Sequence, residues 1–337
     1  MKRITPLLLL LAGCATMPAA QAEPSRLPGC AEALAYSAAH DGVALLALED
    51  GKIRCHSPDV STPQELWSGT KSLVGLMAAA AVQDKLLTLD ERASDTLAEW
   101  RDDPQKDAIT IRQLLAMTAG QASTVGRPLG YLDSVKAPLA AAPGTKFQYG
   151  PAPMQIVGEI MRRKLAAAGL DSDPRAYINR RILIPIGVKV GNWRSGPDGA
   201  PLMPQGLVLA ADEWAKIGEL VRGGGTHKAT PLIDPATLAE LFKGSDANPA
   251  YGLTWWLPRA SDASDPVTRS TDIVEHAAEL PTDLVVAAGA GDQRLYVIPS
   301  RRLTIVRQAK LDIAAVAAGK KSGWSDSHFL SILLLTD

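Results

Sequence analysis

The chain has 337 residues, 46% of them hydrophobic and 21% charged, with 35 basic against 36 acidic side chains. This is material for one large globular domain or two lobes. The balanced charge and the lack of a Lys/Arg run argue against nucleic-acid partners, and no apolar stretch beyond the first residues is long enough to span a bilayer.

The first residues read as an address. Lys2 and Arg3 form a positive n-region, Leu7 to Leu11 a short apolar h-region, and Ala12-Gly13-Cys14 follows directly. Leu11-Ala12-Gly13-Cys14 resembles a bacterial lipobox, which implies cleavage before Cys14 and lipid on its thiol. An ordinary secretory cut after Ala20-Gln21-Ala22 is the alternative; the lipobox is preferred because the h-region ends at the cysteine. Either way residues 1–22 are a leader and the mature chain is an exported bacterial protein, periplasmic and membrane-anchored if lipidated. An oxidising compartment would let Cys30 and Cys55 pair, with two buried free thiols as the alternative.

Ala31 to Ala39 is helix-prone. Val43 to Leu48 and Lys52 to Cys55 flank Glu49-Asp50-Gly51, and Asp-Gly between apolar runs predicts a hairpin. Trp67-Ser68-Gly69-Thr70-Lys71-Ser72 then leads into an Ala- and Leu-rich run, which places Ser68 at or just inside the N-terminus of a helix ending near Asp84-Lys85. Lys71, three residues on, falls on the same helix face as Ser68. A serine hydroxyl becomes a nucleophile when a neighbour takes its proton, and a lysine can do so where burial holds it partly neutral. The helix start adds backbone N–H groups for an oxyanion. The spacing alone decides little, since S-x-x-K arises by chance about once in a chain this long.

Leu87 to Trp100 and Ile109 to Gly120 predict helical segments, the second stopped by its glycine. Residues 121 to 145 read as irregular chain. Pro143-Gly144-Thr145 through Tyr149-Gly150-Pro151 precedes a helix with Ile156, Val157, Ile160 and Met161 on its apolar face. Further helices are predicted near 174–184, 211–222 and 235–243. Tyr251 to Leu257, Asp283 to Ala288, Arg294 to Ile298 and Leu303 to Arg307 read as strands, and Asp326 to Leu335 as a closing helix. Two early strands and several late ones around a helical middle predict an α+β fold, an antiparallel sheet formed from both chain ends with flanking helices. Residues 23–66 and 250–337 would form that α/β sheet lobe, and 67–249 an inserted, mostly helical lobe carrying the S-x-x-K helix.

Together these landmarks resemble the penicillin-recognising serine hydrolases, in the branch of class C β-lactamases, D-amino-acid peptidases and esterases. The matching pieces are Trp67 to Ser72, Ile111 to Gly120, Pro143-Gly144-Thr145 through Tyr149, Gly206 to Asp212, Tyr251 to Trp256, and Gly289-Ala290-Gly291-Asp292-Gln293, in family order across roughly residues 40 to 310. The resemblance implies a β-lactamase/transpeptidase-like fold and an acyl-enzyme mechanism. Ser68 would be the nucleophile, Lys71 and Tyr149 would move the proton, and the N–H groups of Ser68 and Ala290 would hold the oxyanion. The substrate would be a small-molecule or peptide ester or amide.

Two departures qualify it. The family's second motif is Tyr-x-Asn, but Pro151 stands in the asparagine's place, so whatever that amide gives the lysine and a substrate must be absent or come from elsewhere. The third motif, Lys-Thr-Gly or His-x-Gly, registers here as Ala287-Ala288-Gly289, which removes the cation that helps bind a substrate carboxylate. Both favour an esterase or amidase over a D,D-peptidase or β-lactamase, and leave room for a non-catalytic envelope protein that keeps the fold to bind peptidoglycan fragments or a partner.

The histidines, His40, His56, His227, His276 and His328, lack metal-ligand spacing, so neither a metal nor a cofactor is expected. There is no G-x-S-x-G elbow and no P-loop. Trp255 is a candidate for the substrate pocket beside Trp256, with core packing of both as the default. Arg127 and Arg294 are candidates to replace the missing cation, with solvated surface charge the default for each.

Overall fold

The computed structural model describes residues 27–122, 126, 128–314 and 322–334. The leader with Cys14, and Arg127, lie outside these residues. Helix α1 (Cys30–Ala39) leads into a hairpin of β1 (Gly42–Glu49) and β2 (Lys52–His56). Asp50 and Gly51 take positive φ, +48° and +72°, the two left-handed positions that a tight turn matched to strand twist requires. After β3 (Gln64–Glu65) and a 3-10 turn, Trp67–Thr70, comes α2 (Lys71–Gln83). The middle of the chain holds α3 (Pro104–Asp107), α4 (Ile111–Leu115), α5 (Tyr131–Lys136), α6 (Ala152–Ala167), α7 (Pro174–Ile178), β4 (Asn192–Trp193), β5 (Leu207–Leu209), α8 (Ala211–Arg222), β6 (Thr226–His227), β7 (Thr230–Pro231) and α9 (Pro235–Glu240). The chain closes with β8 (Val285–Gly289), β9 (Gln293–Ile298), β10 (Leu303–Ala309) and α10 (Asp326–Leu334).

The main sheet has the order β2-β1-β10-β9-β8, all antiparallel, so the first strand of the chain lies against the last. This is the α+β arrangement expected from two early and several late strands. Alternate residues of β9 face opposite ways. Arg294 and Tyr296 meet Asp326 of α10, whereas Leu295 faces α8, where a Cβ on Gly218 would fall 2.7 Å from its side chain. Helix α2 is buried all round from Lys71 to Ala81, as a helix without a polar face must be.

Three local expectations fail. Residues 121–145, read as irregular chain, contain helix α5, Tyr131–Lys136, which packs Tyr131, Ser134 and Val135 inward. Leu87 to Trp100 forms only the turns Ala93–Asp95 and Ala98–Trp100. Tertiary contacts override its helical propensity, because Arg92 bridges Thr110 and the Trp100 indole donates to Val135 O at 3.0 Å. Tyr251 to Leu257 is no strand either. Gly252 N donates to Trp255 O at 2.8 Å across a turn with Thr254 at φ +78°, and only Trp256 joins the sheet edge, opposite Val286.

Cys30 and Cys55 form a disulfide with their Cα atoms 5.5 Å apart, tying α1 to β2. Their sequence separation is 25 residues, and closing a loop of that size restricts the unfolded chain by about 3 kcal/mol in the chain-entropy model. The Cys30→Ala/Cys55→Ala double variant should lose stability of that order in urea unfolding, with the secondary structure intact at zero denaturant; an unchanged midpoint would contradict this.

Candidate active site

The site starts at the turn before α2. Trp67 has φ +48°, a conformation that costs a bulky residue energy and persists only where its surroundings impose it. Here Leu66 N donates to Leu207 O at 2.8 Å and Gly69 N to Leu66 O at 2.9 Å. The end of β8 presses on the same turn, since a Cβ on Gly289 would lie 2.0 Å from Leu66 O and 3.1 Å from Gly69 N. Glycine at 289 is therefore a packing requirement. The turn leaves Ser68 half-buried, while Lys71 is 4% exposed.

Lys71 Nζ donates to Ser68 Oγ at 2.8 Å and to Pro204 O at 3.0 Å. Burial lowers its pKa to about 7, with no carboxylate contributing, because desolvation penalises the charged form. The Tyr149 hydroxyl hydrogen-bonds Ser68; burial pushes the phenol up to about 12, although that bond pulls the other way. Lys71 Nζ stands 4.7 Å from the centre of the Tyr149 ring. The structure thus brings Ser68, Lys71 and Tyr149 to one point.

Tyr149 is held on several sides. Its amide donates to Asp265 Oδ2 at 2.8 Å, and the preceding Gln148 N donates to Met117 O at 2.8 Å. Its ring stacks on Trp256 at 5.9 Å and meets Tyr251 edge-on at 5.9 Å. Pro151 sits at the start of α6, and the lysine takes its second acceptor from the Pro204 carbonyl instead of from an amide there. Nothing in the local sequence pattern points to a carbonyl 133 residues away, nor to Asp265.

Ala287 and Gly289 alternate onto the face of β8 that meets the Ser68 turn, and Ala290, next in the chain, is exposed. Ala287 is fully buried and presents only a methyl. Arg294 does not replace the missing cation. It is 2% exposed, with Nε donating to Asp326 Oδ1 at 2.8 Å and an Nη to Gly289 O at 3.2 Å. Both the solvated charge and the pocket role expected for it are thereby corrected, because a guanidinium buried on the α10 side of the sheet pairs with a carboxylate there. Trp255 is corrected as well: it is fully buried, edge-on to Phe242 at 5.8 Å, and Trp256 is the indole beside Tyr149. Among the described residues no group of three or more His, Cys, Asp or Glu is placed to hold a metal ion, and no helix is long and apolar enough to cross a membrane.

A serine and a lysine one turn apart at the head of a buried helix, under the edge strand of an antiparallel sheet and met by a tyrosine from the segment leading into α6, mark the class of β-lactamase-fold serine hydrolases. The chain belongs to the β-lactamase family, whose model matches residues 29–310. Its fold is that of a β-lactamase-like protein from Bacteroides dorei DSM 17855 (TM-score 0.72, 16% identity, covering 91% of this chain and 97% of the other). EstCE1, a hydrolase with promiscuous acyltransferase activity, gives 0.65 at 16% identity over 90% and 95% of the two chains. A penicillin-binding protein homologue from Caulobacter crescentus gives 0.65 at 16% identity over 85% and 92%. No curated protein matches the sequence.

The Lys71 burial has a sign that can be measured. Its pKa is about 7 in the fold against an ordinary 10.5. Between those values the unfolded chain binds more protons than the folded one, so stability rises with pH through that window. Urea unfolding of wild type and Lys71→Met from about pH 6 to about pH 10 should show the difference moving toward the wild type by a few kcal/mol, each tenfold change in proton affinity being worth about 1.4 kcal/mol. A difference that stays flat would mean the amine is not desolvated.

Proposed function

We propose that this protein is an exported serine hydrolase that cleaves an ester or amide through an acyl-enzyme on Ser68. The observation that carries the reading is the 2.8 Å contact between Ser68 Oγ and an amine whose pKa burial has brought to about 7. With Lys71 neutral, Ser68 Oγ attacks the substrate carbonyl as its proton passes to Nζ, and Tyr149 relays that proton to the leaving group. The N–H groups of Ser68 and Ala290 hold the oxyanion. Water, or another acceptor, then adds to the acyl carbon, the proton path runs in reverse, and the acid or transferred product leaves with Ser68 restored.

Ala287 sets the substrate class. With a methyl in place of a cation, a carboxylate beside β8 has no charged partner, so a neutral ester or amide is favoured over an anionic β-lactam or a peptide C-terminus. The D,D-peptidase or β-lactamase reading is therefore second. Against a purely binding role stands the desolvation of Lys71, a cost that a scaffold without proton transfer has no reason to carry. The Cys30–Cys55 bond suits an oxidising compartment, and a lipid on Cys14 would anchor the protein to the membrane.

The test is wild type against Ser68→Ala with a short-chain aryl ester, a chromogenic cephalosporin and a serine-reactive phosphonate. Ester turnover and phosphonate labelling should both vanish in Ser68→Ala, and cephalosporin turnover should be much slower than ester turnover. A folded wild type that neither labels nor turns over ester overturns the reading. The kcat/KM profile should rise through an acid limb near pH 7, set by Lys71 losing its proton, and Tyr149→Phe should lower kcat about 10²–10⁴-fold. A pH-independent rate in that range would separate Lys71 from the proton transfer.

A further inference from the structure

The second acceptor for Lys71 is a backbone carbonyl on a loop, and a loop carbonyl must be held in place to act as one. The flanks of Pro204 are pinned. The Trp193 indole donates to Leu202 O at 2.9 Å, and Leu207 N donates to Thr70 Oγ1 at 3.3 Å. Between these anchors Met203 N donates to Gln155 Oε1 at 3.0 Å, while Gln155 Nε2 donates to Leu129 O at 2.6 Å. A backbone N–H can only donate and a backbone carbonyl only accept, so the two partners fix which way round the Gln155 amide sits. Gln155 and Met203 are both fully buried, where water does not compete for these bonds. Gly158, three residues on and on the same face of α6, makes the close approach possible, since a Cβ there would fall 2.8 Å from Met203 Cγ.

We propose that Gln155 is a positioning residue which, by gripping the Met203 amide, sets the Pro204 carbonyl against Lys71. The side-chain amide missing at residue 151 thus has a counterpart one turn further along α6, acting on the lysine through the loop and not by contact. The consequence for reactivity rests on the hydrolase reading above. An ammonium has three donors on a rotatable stem; with one fixed on Pro204 O, another points to Ser68 Oγ. If the carbonyl swings away, the amine loses both its aim and the acceptor that supports its charged form. Lys71 is faced by the Ser68 hydroxyl, the Pro204 carbonyl and the Tyr149 ring, so Pro204 is the support that Gln155 can remove.

Two variants separate positioning from packing. Gln155→Met keeps the shape and removes the amide. Gln155→Glu, protonated where burial holds it neutral, keeps a carbonyl for Met203 N–H and a hydroxyl for Leu129 O. Two readouts apply to each: kcat and KM on the short-chain aryl ester, and the titration midpoint of Lys71 from carbon-13 labelled lysine, its signal assigned by its loss in Lys71→Ala. Gln155→Met should lower kcat on the order of tenfold or more with KM within about twofold, and move the Lys71 midpoint down by about half a pH unit or more. Gln155→Glu should restore both at neutral pH. Wild-type kcat and midpoint in a folded Gln155→Met would overturn the proposal, as would equal losses in both variants that track a common fall in melting temperature. The midpoint is read without turnover, so a protein that never labels or turns over would sink the hydrolase reading while the role of Gln155 is still decided.

Discussion

Moving a lysine ammonium out of water into a site with no carboxylate beside it costs several kcal/mol. Lys71 is in that position, and its amine responds by giving up its proton near pH 7 instead of near 10.5. Everything packed around it follows from keeping that amine dry and aimed. Helix α2 is apolar on every side, so the first turn cannot roll to carry Lys71 toward solvent. The strained Trp67 backbone leaves Ser68 half-buried while the lysine three residues on stays inside. Gly289 lets the sheet edge close over the same turn with no side chain between them.

Much of the support for the site comes from backbone groups and from residues that touch no reacting atom. The lysine is satisfied by a proline carbonyl, and the tyrosine is placed through its own amide by Asp265. A carbonyl is a sound partner for a group that changes charge. It accepts from an ammonium and, unlike a carboxylate, brings no full charge that would pin the proton on nitrogen. A carboxylate in its place would raise the lysine pKa and hold the proton on nitrogen. The loss of an asparagine at 151 is in this sense compatible with proton transfer, provided the loop carrying Pro204 is as rigid as the helix that would have carried the amide.

What was legible in the sequence was what local periodicity controls. The Ser68–Lys71 relation is a property of one helical turn, the β1–β2 hairpin is written in Asp50-Gly51, and the fold class follows from where the apolar strand runs sit along the chain. What was not legible depends on pairings between distant segments. Arg294 reads as a surface charge until Asp326 arrives from the last helix to bury it. Trp255 and Trp256 look interchangeable until the left-handed Thr254 sends one into the core and the other against Tyr149. Pro204 carries no reactive side chain at all, so no motif could have named it.

The burial of Arg294 also bears on what the site can select. Its guanidinium is paired with Asp326 at 2.8 Å and Asp292 at 3.2 Å, yet its charge still reaches across the sheet, where it pulls the Tyr149 phenol down against the burial that raises it. The same side chain holds the Gly289 carbonyl at 3.2 Å, so it also stiffens the end of β8. Selection along that strand then falls to shape and to backbone hydrogen bonds, because Ala287 adds only a methyl. An uncharged carbonyl compound needs nothing more than such an edge, whereas an anion would have to give up its hydration there for no charged partner in return. On the proposed reading, a preference for neutral substrates would rest on two residues on opposite faces of β8 and β9, Ala287 offering no charge and Arg294 committed to Asp326.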